Sequence, residues 1–85
     1  MVNDHRAGEP PYLRIAADLR ERIRSGELQP GDALPSINRI AQEWGCAKTT
    51  AAKALNVLKA EGLARGVHGW GTIVTREDER PANPK

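Results

Sequence analysis

Phenylalanine is absent from the 85 residues, cysteine occurs once, and the aromatic residues reduce to Tyr12, Trp44 and Trp70. A lone cysteine, Cys46, excludes an intramolecular disulfide, so stability has to come from packing, and with so few rings that packing is left to leucine, isoleucine and alanine. No apolar run approaches the ~20 residues of a membrane span, and residues 1–11 lack the apolar stretch of a signal peptide. No membrane partner is therefore expected, and the expected location is cytoplasmic. The length allows one hydrophobic core, since a domain this small buries only about 60% of its unfolded surface, and it excludes an active site cut between domains. Catalytic groupings are also missing. His5 and His68 stand far apart with no cysteine or carboxylate at ligand spacing, and there is no Ser/His/Asp set, glycine-rich phosphate loop or paired-acid site. Neither an enzyme nor a cofactor is expected.

What is present is organised by period. Residues 1–11 are polar, contain Gly8 and the pair Pro10-Pro11, and read as a disordered arm. From Tyr12, the residues Ile15, Ala16, Leu19 and Ile23 recur at steps of three and four, the pattern of an amphipathic helix, and Ser25-Gly26 supplies a left-handed stop. Pro30-Gly31 makes a turn, with Leu28 and Leu34 anchoring a short connection. Pro35-Ser36 opens a second helix, Ser36 serving as its cap and Ile37, Ile40, Ala41 and Trp44 as its buried stripe. Gly45 ends that helix, and Cys46, packed as a small apolar residue, leads into a third whose inward residues are Ala51, Ala54, Leu55 and Leu58. Two helices separated by about three residues with a glycine form a helix-turn-helix signature. Gly62 closes the third helix, and Leu63 folds back over its last turn. The period then falls toward two, so residues 63–67 and 72–75 read as strands of a hairpin crossing the glycines of 66–71. The expected architecture is mainly α with a small β-hairpin, a winged helix-turn-helix of three helices and a two-stranded wing at residues 12–75, followed by a flexible tail at 76–85.

Four of these segments resemble the DNA-binding domain of the GntR family of bacterial transcriptional regulators. Residues 12–26 (YLRIAADLRERIRSG) are similar to its first helix, and residues 28–41 (LQPGDALPSINRIA) to its L-x-P-G-x-x-L-P-S loop and second helix. Residues 45–63 (GCAKTTAAKALNVLKAEGL) match its recognition helix with the E-G-L ending, and residues 69–74 (GWGTIV) its G-x-G-T-x-V wing. The resemblance implies double-stranded DNA as partner, transcriptional regulation as function, and inverted-repeat operators bound by weak dimers that form on DNA. It also shows departures. A glutamate and an arginine usually follow L-P-S in the family, where Ile37 and Asn38 stand here. Its recognition helices usually begin with serine and arginine and carry a later arginine, where this chain has Ala47, Lys48 and Ala52. Weaker or differently specified DNA binding is implied. Relatives usually attach a sensing and dimerising domain; residues 76–85 are too few for an effector pocket, so no small-molecule effector is expected within these residues.

The candidate contacts follow from what DNA offers. A helix fits the major groove with its N-terminal end toward phosphates and base edges. On the third helix the outward residues are Lys48, Thr49, Thr50, Ala52, Lys53 and Asn56. The lysines neutralise phosphate, the threonines bond phosphate or base edges, Ala52 meets only apolar groups such as a thymine methyl, and Asn56 can read adenine. The plain alternative for Lys53 and Lys59 is a solvated face. Ser36, Asn38 and Arg39 start the helix that crosses the backbone, with Arg39 expected on phosphate and Ser36 mainly capping. At the wing, Arg65, His68 and Gly69 are candidate minor-groove contacts, and Trp70 either lies over that groove or packs back on the core. Residues 12–74 carry nine lysines and arginines against six acids, a modest basic excess. The competing reading is a winged-helix protein-interaction module with little or no DNA binding.

Overall fold

The computed structural model describes residues 9–69 and 71–76. Residues 1–8 of the expected arm at 1–11, residues 77–85 of the expected tail at 76–85, and Trp70 lie outside them, while Pro11, placed in the arm, starts a helix. Five elements follow in order: α1 (Pro11–Ser25), α2 (Ile37–Trp44), α3 (Lys48–Ala60), β1 (Ala64–Val67) and β2 (Gly71–Val74).

Helix α1 starts one residue before the expected Tyr12. Pro11 fits the first turn because the amide hydrogen it lacks would have no intrahelical partner there. Its apolar stripe buries Ile15, Ala16 and Leu19. Gly26 ends the helix at φ 92°, returning its N–H to the Ile23 carbonyl at 3.2 Å. Helix α3 supplies the other wall of the core: Ala51, Ala54, Leu55 and Leu58 are all buried as expected. Two of them are alanines with no exposed surface, and α1 and α3 form the main helix–helix contact of the molecule.

Helix α2 departs from expectation at both ends. Ser36 caps it, accepting the Arg39 N–H at 3.0 Å, and Ile40 is buried. Ile37 and Trp44, placed in the buried stripe by periodicity, are instead 38% and 42% exposed. The cause is the packing partner. This eight-residue helix rests chiefly on α3, so one line of contact covers Ile40 and part of Ala41 while the residues a turn to either side project past it.

The hairpin pairs Ala64 with Val74, Arg65 with Ile73, Gly66 with Thr72 and Val67 with Gly71; β1 starts one residue later than expected and β2 lies one residue earlier. A further pairing was not foreseen. The connection between α1 and α2 lies antiparallel beside β2, with an isolated bridge between Ala33 and Ile73. Gly31 N–H donates to the Val74 carbonyl, Val74 N–H to Asp32 and Leu34 N–H to Thr72, at 2.8–2.9 Å. Strand β2 is thus flanked on both edges. Its end is tied to α3 through Thr75, which is 4% exposed and donates its hydroxyl to the Gly62 carbonyl at 2.7 Å and its amide to Leu63 at 3.0 Å.

Candidate nucleic-acid interface

The turn between α2 and α3 is Gly45-Cys46-Ala47. Gly45 takes the left-handed conformation (φ 65°, ψ 38°), Cys46 donates its amide to Ala41 at 3.0 Å and is half-buried against the core, and Ala47 is extended. This sharp path swings α3 out with one face in the core and the other in solvent. Lys48, Thr49, Lys53 and Asn56 are exposed, and Thr50 and Ala52 half-buried, so all six expected outward residues reach one side of the helix. Ala47 has no side-chain acceptor, which leaves the first amides of α3 open at its positive end.

Charge is sorted around this face. Between Lys48 and Ala60 there are three lysines and no acid. The acids of the helices are met by arginines elsewhere: Arg20 grips Glu61 through two hydrogen bonds of 2.9 and 2.6 Å, Arg22 lies 3.1 Å from Asp18, and Arg39 donates to Glu43 at 2.9 Å. The Glu61 hydrogen bond, with a smaller charge attraction, holds the Arg20 guanidinium above its ordinary pKa against a lowering by burial. No ion pair among the described residues involves the lysines of α3. Lys53 does have a neighbour that sequence reasoning missed: its ammonium stands 5.6 Å from the centre of the Tyr12 ring on α1. Nothing local in the sequence signals that approach, because it depends on how α1 crosses α3.

The wing stands beside the start of α2. Ser36, Ile37, Asn38, Leu55 and the first residues of β2, Gly71 and Thr72, line one shallow cleft. At the hairpin end His68 and Gly69 are exposed, Gly69 with φ 81°, and Arg65 is exposed on β1. Arg39 is not in this cleft. It borders a neighbouring one with Arg22 and Glu43, already paired to the latter. Ser36 is spent largely on its cap. Lys48, Thr49, Ala52, Lys53 and Asn56 thus lie on the outward side of α3, Asn38 lines the cleft between α2 and the wing, and Arg39 sits to one side.

Comparison with known proteins agrees with this geometry. The family described as "Bacterial regulatory proteins, gntR family" matches residues 11–74. Over 69 residues the chain is 39% identical to the mannosyl-D-glycerate transport/metabolism system repressor MngR of Escherichia coli (strain K12), covering 81% of this chain and 29% of that protein. Over 67 residues it is 39% identical to the HTH-type transcriptional repressor NagR of Bacillus subtilis (strain 168), covering 79% and 28%. The chain thus spans under a third of the length of these relatives. Its fold matches AraR(DBD), in a crystal structure of the complex with operator ORR3, at a TM-score of 0.72 and 30% identity over 75% of this chain and 77% of that one. The helix-turn-helix with its flanking wing, the matched span and these relatives together establish that the chain belongs to the gntR family of bacterial regulatory proteins.

Proposed function

We propose that this domain binds double-stranded DNA sequence-specifically and regulates transcription, with α3 in the major groove and the wing at the adjacent minor groove. The observation that carries the reading is the acid-free outward face of α3, bearing Lys48, Thr49, Lys53 and Asn56 beside the hairpin. A helix of this width fits the major groove, and its lysines displace counterions from phosphate. MngR and NagR are named repressors and AraR(DBD) was crystallised on its operator, which supports the same role here. Lys48, Lys53 and Thr49 take phosphates or base edges, Thr50 and Ser36 lie close to the backbone, Asn38 and Arg39 flank it, and Arg65, His68 and Gly69 serve the wing. No described helix is long and apolar enough to cross a membrane, and a regulator of this kind works in the cytoplasm. The operator is an inverted repeat taken up by two copies, the second binding as an intramolecular event once the first is in place.

Titration of the protein into labelled duplex DNA at several salt concentrations tests this. Affinity should fall steeply and linearly on logarithmic axes as salt rises. Binding indifferent to salt, or none at all, rejects the proposal and favours a protein-interaction module.

A further inference from the structure

The side chains on the outward face of α3 carry information about which bases they suit. Resting on the DNA-binding reading above, we infer that this domain recognises its operator through thymine methyl groups, received by Thr49 and Ala52 on α3 and by the exposed Ile37 at the start of α2.

Three observations lead there. First, none of the described arginines lies on α3, and Arg39, on α2, is tied to Glu43 at 2.9 Å. The planar fork that pairs bidentately with guanine O6 and N7 is therefore missing from the face that would enter the groove. The cations that remain are lysines, point charges on flexible stems that suit phosphate, and Lys53 leans toward the Tyr12 ring. Second, Ala52 and the methyl of Thr49 are the apolar groups this face offers. Thr49 and Ala52 are three residues apart and so adjacent on the helix surface, while Ile37 lines a cleft with Leu55, which is itself only 4% exposed. Third, Ile37 is 38% exposed although a polar residue at that helix-starting position would be hydrated at no cost. An uncovered isoleucine beside an acid-free lysine face suits a negatively charged partner with an apolar feature at close range.

The major-groove edges of the base pairs offer one such feature, the C5-methyl of thymine. Ala52 has no polar atom with which to read anything else, and Thr49 brings a methyl beside its hydroxyl. Asn56, one turn beyond Ala52, can pair its amide with adenine N6 and N7. The half-site is consequently A·T-rich beneath these residues.

The test begins by selecting binding sites from random duplexes, then replaces thymines of the selected site one at a time with deoxyuridine, which lacks only the methyl. Loss of each buried methyl should weaken binding about fourfold at one or two neighbouring positions, with the salt slope unchanged. The variant Ala52→Ser should remove the thymine–deoxyuridine difference at one of them. Ile37→Gln changes an exposed side chain and should remove it at a neighbouring one, keeping the test open should Ala52→Ser fold poorly. Salt-dependent binding that is equal for thymine and deoxyuridine duplexes overturns this inference and leaves DNA binding standing. So does selection of G·C pairs throughout the half-site. Absence of salt-dependent duplex binding overturns the DNA reading and this inference with it.

Discussion

Ala51 and Ala54 have no exposed surface, and a larger side chain at either would have to displace the core packed around α3. Leu58 is the complementary case, a large side chain fully enclosed where α3 meets the rest of the core. Truncation by Leu58→Ala should cost about 2–5 kcal/mol, from lost transfer energy plus the cavity left behind. Against a total of about 5–15 kcal/mol for a folded domain, much of the stability would go, and urea unfolding followed by circular dichroism should show the midpoint collapse. Ser36→Ala removes the oxygen that receives the Arg39 amide and should cost about 1 kcal/mol by the same measurement. Trp44 is the contrasting residue. At 42% exposure it opens to solvent and its truncation leaves no enclosed cavity, so Trp44→Ala should destabilise the domain less than Leu58→Ala despite deleting a larger side chain. Periodicity put Trp44 in the core because a step of three or four identifies the face of a helix; whether anything covers the end of that face depends on the neighbouring element.

Between elements, the decisive joint is Gly45. At φ 65° and ψ 38° a β-carbon is disfavoured by about 1–2 kcal/mol, although open space surrounds the position. Gly45→Ala should therefore lower stability by about that amount, and Gly45→Asn by less, because asparagine tolerates the left-handed region. Comparing the two by urea unfolding separates backbone strain from crowding. Helices α1 and α3 were legible in the sequence because each buries a full stripe against the other, which imposes the 3.6-residue period along its whole length. The segment 31–34 was not. Pro30-Gly31-Asp32 reads as a turn, and Ala33-Leu34 is too short to show alternation, so its pairing with β2 could come only from the proximity of an edge with unfilled hydrogen bonds.

At the scale of the whole molecule, opposite charges are placed apart from the proposed DNA face. Acids on α1 and α2 and at the end of α3 meet arginines, leaving the lysines of α3 facing solvent without an acidic partner among the described residues. Replacing Lys48 by alanine should weaken binding to all duplex sequences alike and reduce the logarithmic salt slope by about 1, as loss of one phosphate contact demands. Lys53→Ala should do the same, and it also frees the Tyr12 ring. Fluorescence anisotropy over a salt series reads both. The linear order of residues was enough to determine the three helices, the hairpin, the glycine turn and the set of side chains facing outward from α3, since these follow from local period and backbone preference. Only the tertiary structure decided that Ile37 and Trp44 stay exposed, that Lys53 meets Tyr12 and that β2 gains a second neighbour. Each of those depends on which surfaces of distant segments come together, and burial, pairing and charge neutralisation are properties of that meeting rather than of any stretch of chain.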